Sequence, residues 1–344
     1  MHRRTEGTDS VLGGLLAVAS AATFALNNAS LRRGVLTGSV AQAMAITVPM
    51  GLPIFFLIAL LSGSLGAVFA FSRHAVITLL IAGVVHFVWG RYCNYRATRA
   101  IGTNLTAPIQ QANLIVALVL AIVVLGETLT PLKLLGIGLI LFGPYLALNQ
   151  QRRNAGSKAA AAEVKGEAKK EIPVFTPRYA EGIVFALLSA TGYGVSPVLV
   201  RLGLEGKGLG ASIAGGLIAY TAATAVMVLF LLWPANLRHA LAVKPESAKW
   251  FTFSGFLVGI SQMFLYMAMA LAPVTVVSPI NRLSIVFRLY FSKLINPEHE
   301  VFGGGVIFGT VVSLAGAALL SLHTEIAAAW LPDAWRPLLD WHWP

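Results

Sequence analysis

Three arginines interrupt apolar stretches of the sequence that are long enough to cross a membrane. Arg91 lies in the stretch 75–95, and Arg282 and Arg288 lie in the stretch 274–294. A charge at the centre of a bilayer costs about 2.5–3.5 kcal/mol on insertion scales, so a retained arginine indicates a function. The planar guanidinium suits a carboxylate or a phosphate. These residues therefore predict a site for an anion.

Uncharged polar residues would complete this site, because their amides can orient a bound group. The predicted substrate-binding residues are Arg91, Arg282, Arg288, Gln110, Gln111 and Asn281. Further candidates lie in the same helices or at equivalent positions of the repeat described below: His86, Tyr95, Tyr266, Asn113 and Ser284. Among them, His86 is the residue that titrates near neutral pH.

Each candidate also has a structural interpretation. The three arginines would instead bond to backbone carbonyls freed by Pro108 or Pro279. A single histidine such as His86 is more often a packed, hydrogen-bonded residue than a proton carrier. Tyr95 and Tyr266 occupy equivalent positions of the repeat, which favours a shared packing role.

Charged residues near the helix ends are expected to play other roles. Six are expected to extend to the lipid headgroups: Arg32, Arg33, Arg96, Arg99, Arg201 and Lys293. Glu127 and Glu298 lie at turns, where a carboxylate is expected to cap the next helix. No Asp or Glu lies well inside a predicted span. This absence disfavours proton-coupled export of organic cations, which needs a carboxylate for which both charges compete.

The composition indicates the class of protein that positions these residues. Of 344 residues, 57% are hydrophobic and 11% are charged, whereas soluble domains carry roughly a quarter charged residues. Continuous apolar runs favour helices over a barrel, and a single cysteine, Cys93, excludes an intramolecular disulfide. We predict an all-α polytopic membrane protein with ten transmembrane helices, at 11–31, 40–61, 75–95, 103–125, 132–148, 182–200, 211–232, 250–271, 274–294 and 301–320.

An internal duplication organises these helices. Residues 95–127 recur as 266–298, offset by 171, with Tyr-x-Ala at the start, Pro-Ile followed by an amide in the middle and glutamate at the end. A match at offset 168 relates Arg33 to Arg201 and favours a retained first helix over a cleaved signal peptide. Because each repeat holds five helices, an odd number, the two copies must be inverted. Inverted repeats are typical of transporters whose substrate site lies near the midplane.

The predicted organisation has five parts: an N-terminal tail (1–10), a first five-helix repeat (11–149), a basic flexible linker (150–179), a second five-helix repeat (180–322) and a Trp-rich interfacial tail (323–344). The linker carries seven Lys/Arg without interleaved aromatic residues, so it does not indicate a nucleic-acid site. The positive-inside rule assigns the linker to the cytoplasm and both termini to the outside.

The chain resembles the drug/metabolite transporter superfamily in its ten-helix EamA-type form. The resemblance lies in the fourth helix of each repeat, with Pro108 before Gly-Glu-Thr-Leu at 126–129 and Pro279 before Pro-Glu at 297–298. Glycine-rich helices follow in both copies. The second copy departs from the pattern, because Asn-Pro-Glu stands where Gly-Glu is expected. The resemblance implies transport without naming a substrate, and it implies termini inside, against the charge rule.

Three functional hypotheses follow. The first is a secondary transporter, an exporter or exchanger working by alternating access, for a small organic anion that bears a carboxylate or phosphate. The second is an exporter of amino acids or other neutral or zwitterionic metabolites, with structural arginines. The third is a lipid-linked phosphate carrier or flippase-like protein.

Enzymatic activity is not expected, because the sequence has no cluster of nucleophile and base or of metal ligands. No cofactor and no catalytic or metal-binding residue is expected either. The expected partners are a small-molecule substrate and the lipid bilayer, without nucleic acid, and a homodimer through the glycine-rich helices five and ten is a further hypothesis. The expected location is the bacterial inner membrane, as a multi-pass protein.

Overall fold

The structure is a computed structural model that describes residues 2–125, 134–147, 149, 176–204, 209–271, 277 and 280–321. Its helices are α1 (His2–Thr37), α2 (Val40–Thr47), α3 (Gly51–Leu61), α4 (Arg73–Gly83), α5 (Arg91–Ile101), α6 (Thr103–Gln110), α7 (Ala112–Leu125), α8 (Leu134–Ala147), α9 (Tyr179–Leu204), α10 (Leu209–Leu231), α11 (Pro234–Leu241), α12 (Pro245–Leu271), α13 (Ser284–Ile295) and α14 (Gly304–Ser321). A 3-10 turn covers Leu65–Ala70, and the π-helical segment Val84–Gly90 joins α4 to α5. These described residues contain no strand, and the predicted all-α polytopic class is confirmed.

Within the described part, five stretches are long and apolar enough to cross a membrane. They are Leu12–Thr37, Val40–Leu61, Arg73–Ile101, Tyr179–Leu204 and Gly210–Leu231. Each of the other predicted spans overlaps a shorter helix or α12, so the count of ten spans and the division into two repeats stay predictions. The predicted N-terminal tail is part of α1, which begins at His2. Linker residues 150–175 and the tail 323–344 lie outside the described residues.

Three predicted spans are not continuous α-helices. The second breaks between α2 and α3, where the amide of Gly51 donates to the carbonyl of Val48 instead of that of Thr47. This break frees the Thr47 carbonyl from its usual i+4 partner. The third span contains the π-helical segment, a feature that is frequent at functional sites. The fourth breaks at Gln111, three residues after Pro108.

The first predicted helix of each repeat packs against the third predicted span of the other. Helix α1 runs antiparallel to α12: the Ser20 and Ser261 hydroxyls lie 3.4 Å apart, and two turns further on Ser254 donates to Asn27 at 2.6 Å. This reciprocal pairing is the arrangement that an inverted duplication would produce.

Helix α9 makes the corresponding contact with α4, the π-helical segment and α5. Gly182 lies against Ile101 near one end of this interface, and Gly192 lies against Gly90 at its centre. Because neither glycine at the centre has a side chain, the two helices approach closely enough for polar groups on both to meet.

Glycines also bring α8 and α14 together. Gly143 lies against Gly309, and Gly316 lies against the backbone of Gly136. The glycine faces of predicted helices five and ten are therefore in contact within one chain. The homodimer stays a prediction, and it would have to use other faces of these helices.

The antiparallel contact between α1 and α12 predicts a disulfide. In a Cys93→Ala background, Ser20→Cys with Ser261→Cys is expected to cross-link readily under mild oxidation, because the two hydroxyls are 3.4 Å apart. Gel mobility after cleavage in the linker between the halves measures the bond. Ser20→Cys with Ser254→Cys is the control, because two helical turns, about 10 Å, separate it from a matched pair. Equal cross-linking of both pairs would contradict the packing.

Candidate functional site

Arg91, the first residue of α5, is 4% exposed and lies beside the break between α2 and α3. Its Nη1 donates to the freed carbonyl of Thr47 at 3.2 Å, and its Nη2 donates to the hydroxyl of Tyr220 at 3.3 Å. The guanidinium also lies 5.1 Å from the ring centroid of Phe87, which stacks on Tyr220. The Tyr95 hydroxyl donates to Thr47 Oγ1 at 3.0 Å. Arg91 thus bonds to a freed backbone carbonyl, as its structural interpretation expects. The break that frees this carbonyl is at Pro49, however, and not at Pro108 or Pro279.

Arg288 lies on α13 at the centre of a second polar cluster. It is 4% exposed, and its Nη1 donates to Gln110 Oε1 at 3.4 Å. The Gln110 amide donates to Asn94 Oδ1 at 2.9 Å and to the Ser189 hydroxyl at 3.0 Å. Ser189 in turn donates to the Gly90 carbonyl. Among the described atoms, Arg288 Nε has no hydrogen-bond partner.

Arg282 and Gln111 meet where the two copies of the duplication face each other. Arg282 Nη1 donates to Gln111 Oε1 at 3.2 Å, and the two residues are equivalent under the offset of 171. Two equivalent residues touch only near the axis that relates them. Within the described part, three buried amide atoms here have no hydrogen-bond partner: Gln111 Nε2, Asn113 Oδ1 and Asn281 Oδ1.

Tyr193, on α9, connects the two arginine clusters. It hydrogen-bonds to Asn94 and interacts electrostatically with both Arg91 and Arg288. Its ring also lies 4.7 Å from that of His86, whose Nδ1 shares a 2.9 Å hydrogen bond with the Ser196 hydroxyl. Tyr193 therefore brings the candidates of α5 and α13 into one site with His86 at its edge.

The site has an excess of positive charge. In the described part of the chain, Arg91, Arg282 and Arg288 form no salt bridge, and Glu300 acts on Arg288 only at longer range. Their partners are carbonyl, hydroxyl and amide oxygens. Such oxygens satisfy the N–H groups but leave the charges unneutralised, so the arrangement can bind an anion.

Arg32 corrects the prediction that it extends to the headgroups, because its side chain is completely buried. Its Nη1 donates to the carbonyls of Thr98 and Arg99 at 2.8 and 3.0 Å, and its Nη2 donates to that of His299 at 2.7 Å. Its Nε lies 3.5 Å from Glu300 Oε1, and both side chains are 0% exposed. The prediction rested on the position of Arg32 near the end of a predicted span. In the structure, the connection between α13 and α14 covers this position.

Glu300 is a buried acid that the sequence analysis did not single out, because it lies outside the predicted spans. It lies just before the tenth predicted span, and its carboxylate caps α6 of the other half: it accepts from the Thr103 and Asn104 amides at 2.6 and 3.1 Å. Gly102, at φ +80°, ends α5 in the left-handed conformation, and a Cβ there would press on this carboxylate. Burial raises the pKa of the Glu300 carboxyl, and the Arg32 charge and these amides oppose that rise.

The remaining charged residues of the described part lie at or near the surface. Arg99 and Lys293 are exposed, as expected for residues at the helix ends, and Arg33 is partly exposed. Arg96 instead pairs with Glu181 at 2.7 Å. Glu298 is exposed, and Glu127 lies outside the described residues.

Two further candidates complete the comparison with the sequence prediction. Ser284 is 9% exposed on α13, next to the Arg288 cluster. The Tyr266 side chain and the Arg201 side chain lie outside the described set.

Sequence reasoning found Gln110 and Gln111 but missed five other uncharged members of the site, which are Tyr193, Tyr220, Asn94, Ser189 and Thr47. A search for charges in apolar stretches does not detect them. The one available signal was at Tyr193, which stands between two glycines in an apolar stretch. A large polar side chain at a point of close helix approach indicates a position facing another helix.

Comparison with known proteins agrees with this architecture. Residues 11–149 match the model of the EamA-like transporter family. Comparison with the curated proteins finds no match. Seventeen chains of solved structures match. One of them, described only as the crystal structure of a protein, covers 95% of this chain and 99% of its own, with a TM-score of 0.54 and 17% identity. That likeness supports the fold alone.

The bonds of Gln110 predict that it stabilises the fold more than its neighbour does. Gln110→Leu removes three hydrogen bonds, to Asn94, Ser189 and Arg288, whereas Gln111→Leu removes one. At about 1 kcal/mol for each lost bond, Gln110→Leu is expected to lower the melting temperature of the purified protein by several degrees more than Gln111→Leu. Tryptophan fluorescence during heating measures both. Equal effects would show that the Gln110 cluster is not formed.

Proposed function

We propose that this chain, an EamA-type member of the drug/metabolite transporter superfamily, is a secondary transporter of a small organic anion that bears a carboxylate or phosphate. Membership of the family makes the chain a membrane transporter. The proposal adds the charge of the substrate, the residues that bind it and a mechanism of exchange or export. We also infer that the membrane is a bacterial inner membrane.

The unneutralised charge of Arg91, Arg282 and Arg288 is the observation that carries the proposal. Buried positive charge in a membrane is costly unless a counter-charge is near. An anion that enters between Arg91 and Arg288 supplies that charge, and both guanidiniums offer further N–H donors in a fork suited to carboxylate or phosphate. Tyr193 and Gln110 lie between the arginines and orient the bound group.

The pair Arg32–Glu300 supports an alternating-access mechanism. It joins α1 and α5 in the first half to the connection between α13 and α14 in the second, on the side of the linker. Ser292 and Thr103, whose hydroxyls lie 2.7 Å apart, close the space between this pair and Arg288. We infer that these contacts form the closed gate on the linker side, and that they separate when the site opens to that side.

A zwitterionic substrate is a second candidate, supported by the unpaired acceptors. Within the described residues, Asn281 Oδ1, Asn113 Oδ1 and Asn28 Oδ1 are buried without a donor. An ammonium or hydroxyl group on the substrate would supply such donors, because buried acceptors without partners cost free energy. Under this alternative, the carboxylate of an amino acid would still bind the arginines.

Neutralising either central arginine is expected to impair anion transport. Arg91→Gln and Arg288→Gln each remove a charge-assisted hydrogen bond of about 1.5–3 kcal/mol, so counterflow of carboxylates or phosphate in proteoliposomes should fall by about tenfold or more. Neutral amino acids should be affected less. Arg96→Gln is the matched control, because Arg96 lies on the same helix but pairs with Glu181 at the surface. Unchanged transport and an unchanged ranking of substrates in both variants would refute the anion site.

Breaking the linker-side pair is expected to open the gate. In a Cys93→Ala background, Ser292→Cys reports on the closed region, because Ser292 is 0% exposed. Glu300→Gln should increase its labelling by a membrane-impermeant maleimide from the linker side by at least about tenfold, since losing one partner of a buried pair costs about 3–5 kcal/mol.

The control for the gate is Glu298→Gln, two residues away and exposed. It should leave the labelling of Ser292→Cys at the background rate. If Glu300→Gln behaves like Glu298→Gln, the Arg32–Glu300 pair does not hold the gate closed.

A further inference from the structure

A cavity of about 130 Å³ lies beside the arginine site, between helices of both halves. Its apolar walls come from Ala82 and Phe87 in the third predicted span, Pro197 on α9, Ala219 on α10 and Leu265 on α12. Arg91 follows Phe87 in the third predicted span, Tyr193 lies on α9, and Tyr220 of α10 accepts a hydrogen bond from Arg91. The cavity therefore adjoins the arginine site, and its wall at Pro197 is exposed.

The cavity is one side chain away from the proposed anion site. Phe87 lines it with one part of its ring, and the Arg91 guanidinium lies 5.1 Å from the centroid of the same ring. His86 also lines it, and the His86 ring contacts Tyr193, which interacts with both Arg91 and Arg288. Phe87 and His86 therefore border the cavity on one side and contact residues of the anion site on the other.

The difference between the two halves keeps this cavity free of charge. Gln262, which lines it, occupies the position equivalent to Arg91 under the offset of 171. Its amide, together with His86 and Ser196, forms a short polar border on a wall that is otherwise apolar. One copy of the duplication thus provides the cation, and the other leaves an uncharged pocket at the corresponding place.

We propose that this cavity is the side-group pocket of the substrate, which is an anion with a compact, branched aliphatic group next to its charged end. This inference rests on the proposed anion transport, and it adds the uncharged part of the substrate. The size sets the group: an apolar cavity of about 150 Å³ holds a benzene molecule, so this slightly smaller one suits a propyl or butyl branch better than an aromatic ring. Burial of that branch contributes affinity that a bare carboxylate or inorganic phosphate lacks.

A series of α-hydroxy acids with a constant charged end tests the pocket. Glycolate, lactate, α-hydroxyisovalerate, α-hydroxyisocaproate and phenyllactate are compared by their shifts of the melting temperature of the full chain and by competition for glycolate counterflow. Affinity is expected to rise by about tenfold or more from glycolate to the branched members, as for methylene groups in a hydrophobic pocket. It is expected to fall again at phenyllactate, whose benzyl group is bulkier than a propyl or butyl branch.

Filling the cavity should remove this preference. Ala219→Leu is expected to reduce affinity for the branched acids to the level of glycolate, while glycolate itself binds as in the parent protein. Thr221→Val is the control on the same helix, because Thr221 faces the outer groove and its hydroxyl only donates back to the Leu217 carbonyl. If Ala219→Leu loses every ligand, the smaller Ala219→Val decides: a selective loss supports the pocket, and a uniform loss overturns it.

The outcomes separate the pocket from the proposed function. Equal affinity across the series, with glycolate binding still abolished by Arg91→Gln, would overturn the pocket and leave the anion site standing. Binding of neutral amino acids but of none of the α-hydroxy acids would overturn the anion site, and the pocket proposal with it.

Discussion

A guanidinium inside a membrane must find its acceptors within the protein, because hydrocarbon offers none. Arg32 and Arg91 both meet this need with backbone carbonyls, but only Arg32 also has a carboxylate, that of Glu300. The two arginines therefore differ in how far their positive charge is neutralised. Arg32 has both carbonyl acceptors and a carboxylate beside it. Arg91 has oxygen acceptors but no carboxylate partner among the described residues, and the proposed anion would neutralise its charge.

The irregular helices follow from the same requirement. A regular helix uses its carbonyls internally and has none to offer an arginine. The break after Thr47 supplies one to Arg91. The last turn of α5, which ends at Gly102, supplies two of the three that bind Arg32, and His299 supplies the third. The π-helical segment before Arg91 and the break at Gln111 lie in the same central region. Proline and glycine thus help to determine where these arginines can be buried.

The two halves share a similar framework but differ in their charged residues. The reciprocal packing of α1 on α12 and of α9 on α4 and α5 makes one framework from two similar parts. The positive residues do not follow the duplication: Arg91 has Gln262 as its equivalent, and Arg282 has Gln111. An exactly symmetric chain would have placed like charges across the axis, where they repel. The asymmetric chain instead pairs a cation with an amide, as Arg282 and Gln111 do, and leaves an uncharged cavity beside the cations.

The sequence by itself determined the all-α membrane class and the family resemblance, because long apolar runs and an internal duplication are properties of the chain alone. It also identified Arg91, Arg282 and Arg288 as candidates, since a charge in an apolar stretch is visible without a structure. Only the tertiary structure decided which arginines are paired. Glu300 lies 268 residues from Arg32 in the sequence. The connection between α13 and α14, which the sequence suggests is a turn at the membrane surface, covers the buried guanidinium of Arg32. The uncharged partners Tyr193, Asn94 and Thr47 could not be predicted from the sequence either, because their role depends on which helices meet. Long-range packing, and not a local sequence pattern, determines which helices are in contact.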